Sequence, residues 1–320
     1  MSVSRVMVTG VSGFVGEAVV YRLLLDRRHT PVAASRGRTR LDGLCHVVPF
    51  ELGGAVTMPS MSGVEVLVHA AARVHVMNDQ AVDVLAEFRR INVDGTVSLA
   101  RCAAAAGVKR FIFISSIKVN GESTEPGKPF HADLKPQPMD PYGISKMEAE
   151  LALRNVAKET GIEVVIIRPP LVYGPGVKAN FLNMMRWLDR GIVLPFGAIN
   201  NRRSLVAIGN LVDLLVTCID HPAAPGHTFL VSDDSDMSTT QLLDNMASAL
   251  GKKARLLPLP VWLLNTVASS FGKRSVAQRL CSSLQVDISK TRQVLGWAPP
   301  VSVVKALRQT ACYYRDLKNK

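Results

Sequence analysis

Tyr142 and Lys146 stand four residues apart in the run Pro141-Tyr142-Gly143-Ile144-Ser145-Lys146. The stretch 142–159 reads as a helix, and on a helix that spacing puts both side chains on one face, roughly 5–6 Å apart at Cβ. A phenol ordinarily loses its proton near pH ~10. An ammonium beside it stabilises the phenolate and lowers that value. The pair predicts a proton donor and acceptor working near neutral pH, where general acid–base catalysis is most effective. Tyr-x-x-x-Lys also arises by chance in many helices, so the surrounding elements must decide whether this pair does chemistry.

Upstream, 5–9 reads as a buried strand and is followed by Gly10-Val11-Ser12-Gly13-Phe14-Val15-Gly16 and an apolar helix to residue 25. Glycines at 10, 13 and 16 between a strand and a helix suit dinucleotide phosphates: one for the tight turn, one for close backbone approach, one for helix–strand packing. The helix N-terminus then offers N–H groups to the pyrophosphate. A second strand at 31–34 ends in Ser35-Arg36, where an NAD site usually carries an acidic residue for the ribose. A hydroxyl followed by an arginine suits a 2′-phosphate instead, which favours NADP(H), with NAD(H) as the alternative.

Further strands are expected at 45–50, 64–71, 111–115 and 164–167, with a long helical region at 81–106. The fourth strand is almost continuously apolar, as in a parallel sheet covered on both faces. It ends in Ala70-Ala71-Ala72, small residues against which a cofactor can lie closely. Six strands alternating with helices in about 170 residues predict an α/β fold with a doubly wound parallel sheet. Beyond residue 175 the pattern loosens. Helices are expected at 180–190, 239–250, 261–271 and 301–317, and strands at 204–208 and 227–231.

The chain has 320 residues, 48% hydrophobic and 20% charged, as in an ordinary globular protein. Neither a secretory leader nor an apolar run of the ~20 residues that span a bilayer is visible. Five scattered cysteines show no C-x-x-C spacing, so neither a disulfide framework nor a metal site is indicated, and His69 and His75 read as structural or loop residues. A reduced, cytoplasmic protein follows. The net charge of +12 comes from small separated groups such as Arg36/Arg38/Arg40 and Arg202-Arg203. That pattern suits small anions better than nucleic acid.

Taken together, these elements resemble the extended short-chain dehydrogenase/reductases, in particular the nucleotide-sugar epimerase, dehydratase and 4-ketoreductase branch. The resemblance rests on Thr9-Gly10-x-x-Gly13-Phe14-x-Gly16, His69-Ala70-Ala71-Ala72, Asn92-x-x-Gly95-Thr96 and Ser115-Ser116 with Gly121. It continues through Pro141-Tyr142-Gly143-x-Ser145-Lys146, Arg168-Pro169 with Val172-Tyr173-Gly174-Pro175-Gly176, and Leu295-Gly296-Trp297. It implies a Rossmann-type NAD(P)-binding domain at 1–173, with returning elements near 204–232. A smaller, interleaved nucleotide-sugar domain would comprise 174–203 and 233–320.

Roles carry over by position. Tyr142 is implied as the acid/base, and Lys146 as the residue that lowers its pKa and binds the nicotinamide ribose. Ser116 would hold the reacting oxygen, with Ser115 the fallback because a two-serine run leaves the register open by one. The cofactor would lie against Gly10, Ser12, Gly13, Phe14, Val15, Ser35, Arg36, Glu51, Leu52, Ala70, Ala71, Ala72, Asn92, Ser115 and Pro169, as well as Tyr142 and Lys146. Asn92 would brace the catalytic region. Arg73, Ser116, Lys118, Asn180, Arg203 and Arg279 would hold the substrate, a UDP-sugar.

Two departures stand out: Glu51-Leu52 replaces an Asp that often contacts adenine, and Ser35-Arg36 replaces an acidic residue. The serine loop has no carboxylate, which argues against a 4,6-dehydratase. The favoured expectation is NADPH reduction of a UDP-4-keto-6-deoxy-N-acetylhexosamine in surface-polysaccharide (O-antigen) synthesis. The alternative is a UDP-glucose or UDP-N-acetylglucosamine 4-epimerase with retained NAD. A non-catalytic cofactor-sensing regulator is a remote third. A homodimer is expected, without nucleic acid or stable membrane insertion.

Overall fold

A computed structural model describes residues 4–53, 58–74, 83–125, 127–270, 278 and 280–318. Seven strands form one parallel sheet in the order β3-β2-β1-β4-β5-β6-β9. These are β1 (Ser4–Thr9), β2 (His29–Ser35), β3 (His46–Pro49), β4 (Val64–His69), β5 (Arg110–Ile114), β6 (Glu163–Arg168) and β9 (Thr228–Leu230). The six expected strands are present, and the returning strand at 227–231 adds the seventh beside β6. Strands this apolar must be covered on both faces. One cluster includes Val6, Val8, Ile112 and Ile167. The other includes Met7, Leu67, Phe111 and Phe113, the alternate residues of the same strands. Each such fully buried side chain contributes roughly 1.5–3 kcal/mol.

Helices α1 (Phe14–Asp26), α2 (Val84–Arg89), α3 (Gly95–Ala105) and α4 (Pro141–Thr160) accompany the sheet. The helical region expected at 81–106 is interrupted: Arg90–Asp94 forms one π-helical turn between α2 and α3, closed by Gly95 N–H to the Arg90 carbonyl. Residues 81 and 82 lie outside the described residues. α4 starts on the Asp140 carboxylate, which accepts from Gly143 N–H at 2.7 Å, and ends at Gly161 in the left-handed region (φ 78°). Its buried stripe, Ser145, Lys146, Ala149, Glu150, Leu153 and Val156, carries charged residues where only apolar ones are normally found.

A short parallel pair, β7 (Leu171–Tyr173) and β8 (Leu205–Ala207), leads to the remaining elements. These are α5 (Ala179–Asp189), α6 (Ile208–Asp220), α7 (Thr239–Ala249), α8 (Val261–Ser270), α9 (Ser289–Leu295) and α10 (Val303–Lys318). A third apolar cluster joins Tyr173, Phe181, Leu243, Met246 and Leu307. Helix α6 was not expected from the sequence. It nonetheless carries a helical period: Gly209, Asp213, Thr217 and Asp220 recur on its less buried side, against a buried face of Leu211, Leu214, Leu215, Cys218 and Ile219. No helix among the described residues is long and apolar enough to cross a membrane.

Candidate active site

A cavity of about 960 Å³ opens along the carboxyl ends of β1 to β6. This is where open α/β sheets bind ligands. Its walls come from the segments just past each strand: Gly10–Gly16, Ser35 and Arg36, Phe50–Gly53, Ala70–Val74, Ser115 and Ser116, and Pro169 and Pro170. Tyr142 and Lys146 enter from α4.

The glycine loop has the shape of a phosphate cradle. Gly10 sits at φ +71°, and a Cβ there would come within 2.6 Å of the Ala70–Ala71 backbone. A Cβ on Gly16 would lie 2.4 Å from the Gly10 carbonyl oxygen. Helix α1 begins right after Gly13, which offers no side-chain cap. The amides of its first turn thus need partners other than a capping side chain, and they line the cavity. This donor set fits a dinucleotide pyrophosphate. At the tip of β2, Arg36 is largely exposed and lies 3.8 Å from Glu51.

Behind the loop, His69 joins three elements. Its ring nitrogens lie 2.7 Å from Thr9 Oγ1 and 3.1 Å from Thr96 Oγ1. Burial, together with the nearby Lys146 charge, pushes its pKa down to about 3, so it is neutral. The expected structural role for His69 therefore holds, while His75 lies outside the described residues. No cluster of metal-ligating side chains exists among the described residues.

Where α4 meets the cavity, Lys146 Nζ donates to the Ile114 carbonyl at 2.9 Å. It lies 4.4 Å from the centre of the Phe113 ring and 6.0 Å from that of the Tyr142 ring. The expectation that Lys146 lowers the Tyr142 pKa is not met in this state. Burial and the Asp140 carboxylate push Tyr142 up to about 12. Burial pushes Lys146 down to about 7, with Glu150 acting in the opposite sense. Desolvation wins because Lys146 is buried and Tyr142 is half-buried in the cavity wall, with the Lys146 ammonium directed to a backbone carbonyl. Tyr142 is thus held as a neutral phenol, a proton donor.

The two serines separate cleanly. Ser115 Oγ donates to Glu150 Oε1 at 2.5 Å, whereas Ser116 accepts from Lys118 N–H at 3.2 Å at the cavity wall. Asn92, buried in the π-helical turn, does not line the cavity but fastens its wall. Its Oδ1 accepts from Arg73 N–H at 2.8 Å, and its Nδ2 donates to Arg73 O and to Ser145 Oγ. Ser145 Oγ in turn donates to the Tyr142 carbonyl at 2.8 Å. The extra backbone residue of a π turn re-aims a side chain, which is why such turns gather at functional sites.

The glycine loop, Ser35, Arg36, Glu51, Leu52, Ala70, Ala71, Ala72, Arg73, Ser115, Ser116, Tyr142, Lys146 and Pro169 all meet at this one cavity. Four expected substrate residues do not join them. Lys118 turns to the carboxylates of Asp140 and Glu122, which out-compete a distant ligand for its charge. Asn180 is exposed on α5. Arg203 donates to the Ser282 carbonyl at 3.0 Å, and its backbone pairs with Met237. Arg279 lies outside the described residues. Sequence reasoning missed Phe50, Arg90, Ile91, Ile114 and Val172 as lining residues. Their only signal is position at or just past a strand end, or in the π turn.

Residues 6–232 match the NAD dependent epimerase/dehydratase family. A UDP-glucose 4-epimerase of Vibrio cholerae is 46% identical over 98% of this chain and 97% of its own length. A UDP-glucose 4-epimerase of Mycolicibacterium smegmatis is 30% identical over 98% of this chain and 99% of its own. Among solved structures, UDP-glucuronic acid 4-epimerase from Bacillus cereus, in complex with NAD, superposes with a TM-score of 0.78 at 21% identity. That match covers 98% of this chain and 99% of the other.

Proposed function

Because the chain belongs to the NAD dependent epimerase/dehydratase family, we propose that it is an NAD(P)-dependent oxidoreductase acting at C4 of a UDP-linked hexose, with 4-epimerisation as its net reaction. The observation that carries this reading is the meeting of Ser116, Tyr142 and Lys146 at the far end of the glycine-loop cavity. The 46% identity to a UDP-glucose 4-epimerase supports epimerisation over the net reduction favoured on sequence alone.

In this reading Gly10–Gly16 and the first turn of α1 hold the dinucleotide phosphates, and Ala70–Ala72 allow close contact. The bound nicotinamide supplies hydride transfer. Tyr142 moves the proton at the C4 oxygen while Ser116 hydrogen-bonds that oxygen. Lys146 sets the local charge, and a cation entering the cavity would draw the Tyr142 pKa down. Orientation of the sugar carbon carries much of the acceleration.

The second reading is net reduction of a UDP-4-keto sugar by NADPH. Two observations favour it: the tip of β2 is Ser35-Arg36, without a ribose-binding carboxylate, and Tyr142 rests as the protonated donor that ketone reduction requires. The two readings separate on incubation with UDP-glucose, UDP-N-acetylglucosamine and a UDP-4-keto-6-deoxy-N-acetylhexosamine, each with both reduced and oxidised cofactors, the products being resolved by NMR. Interconversion of C4 epimers with catalytic NAD supports epimerisation. Stoichiometric NADPH oxidation with only the keto sugar overturns it in favour of reduction. Tyr142→Phe should abolish turnover while leaving cofactor binding intact; undiminished turnover removes Tyr142 from the mechanism.

A further inference from the structure

Glu150 continues the helical face that carries Tyr142 and Lys146, one turn beyond Lys146. It is 3% exposed, a depth at which a carboxylate requires partners. Two side chains supply them, Ser115 and Arg168. Its Oε1 accepts from Ser115 Oγ at 2.5 Å, beside Ser116 at the end of β5. Arg168, next to Pro169 at the end of β6, donates Nε to Oε1 at 2.8 Å and Nη2 to Oε2 at 2.6 Å. Arg168 Nη1 reaches on to Asn120 Oδ1 at 3.0 Å, at the far end of the serine loop.

We propose that Glu150 is a positioning residue for the reaction: its buried carboxylate clamps the serine loop and the β6 terminus to α4 and supplies the counter-charge to the Lys146 ammonium. The surroundings of Lys146 single it out. β5 offers the Ile114 carbonyl and the Phe113 ring, neither of which carries a full negative charge. β4 offers His69, which is neutral. On α4, Tyr142 is a neutral phenol, and the Asp140 carboxylate is engaged by Lys118 and Gly143. Arg168 of β6 is itself a cation and shares the Glu150 carboxylate with Lys146. Glu150, one helical turn away on the same buried face, is the negative charge that opposes the desolvation of Lys146.

The inference rests on the proposed role of Lys146, so its test has one readout that does not need turnover. In the cofactor-free protein, the protonation midpoint of Lys146 is measured by competitive acetylation across pH with mass spectrometry. In parallel, kcat and KM are followed across pH. In Glu150→Gln the midpoint should fall by about one to two pH units, the scale of one unit charge about one helical turn away. The alkaline limb of kcat should fall with it, while KM stays within about twofold. Glu150→Asp, which keeps the charge, should bring both back towards the parent. An unmoved midpoint in E150Q, or one equally low in E150D, overturns the proposal. A shifted midpoint with an unmoved kcat limb overturns Glu150's place in the reaction and counts against the role given to Lys146. Should unpaired Arg168 keep E150Q from folding, Arg168→Gln decides instead: it leaves the Glu150 charge without its competing cation, so the Lys146 midpoint should rise, and an unmoved midpoint overturns the proposal.

Discussion

Replacing Gly16 by alanine sets two effects of opposite sign against each other. Gly16 lies within α1, and in an ordinary helix interior alanine would be favoured by about 0.8–1.0 kcal/mol. Here the new methyl carbon would sit 2.4 Å from the Gly10 carbonyl oxygen, 2.7 Å from its carbon and 3.0 Å from Val11 N. All three are backbone atoms, so no side chain can swing aside. Overpacking of this kind costs typically ~1–3 kcal/mol, and the closeness of the contact points to the upper part of that range. The net expectation is a destabilisation of roughly 1–2 kcal/mol. Because relief requires Gly10 and Val11 to move, dinucleotide affinity should drop by at least about tenfold, or 1.4 kcal/mol. Gly209→Ala is the control. Gly209 is also helical, but its Cβ would meet only Val301 Cγ2 at 3.6 Å, an ordinary contact. It should be stabilising by up to about 1 kcal/mol. Urea unfolding and dinucleotide titration by calorimetry measure both quantities. A Gly16→Ala protein as stable as Gly209→Ala, with unchanged cofactor affinity, would refute the claim that this loop is packed backbone to backbone.

Ser116→Ala should lower kcat by about 10²-fold with little loss of stability, as for removal of one donor to a reacting oxygen. Ser115→Ala should instead destabilise by about 1.5–3 kcal/mol through the loss of its hydrogen bond to the Glu150 carboxylate, measured by urea unfolding; the reverse assignment would shift the serine register by one. Arg36→Ala should weaken NADPH far more than NADH in fluorescence titrations, and equal losses would remove the 2′-phosphate role. His69 has a folded pKa of about 3, below its ordinary 6.5. The unfolded chain therefore binds the extra proton first, and stability is full above pH ~6.5 and falls at about 1.4 kcal/mol per unit towards pH ~3. At pH 5 that loss is roughly 2 kcal/mol, and His69→Gln should flatten the slope between pH 7 and 5. An unchanged slope would mean that His69 is not the group being titrated.

The glycine loop, the alternation of strands and helices, and the Tyr142–Lys146 pair were all legible in the sequence because each is a local pattern. A turn needs its glycine where the backbone bends, a buried strand must be apolar along its length, and two side chains one turn apart share a face wherever the helix goes. That Ser115, and not Ser116, is bonded to a buried carboxylate was not legible. Adjacent residues at a strand end point opposite ways, and only the arrival of Glu150 from α4 shows which serine is taken. Lys118 illustrates the same limit, since its place in a substrate list ignored the Asp140 and Glu122 carboxylates that the folded loop brings to it.

The protonation states were decided by the tertiary structure alone. Spacing on α4 brings an ammonium near a phenol, and by itself that lowers the phenol's pKa. The fold adds desolvation around both groups and the Asp140 carboxylate beside Tyr142. Together these reverse the direction. Sequence thus determined which groups could exchange a proton, since that depends on residue type and helical period. The structure decided which of them holds it, because the energy of a charge depends on everything that excludes water around it.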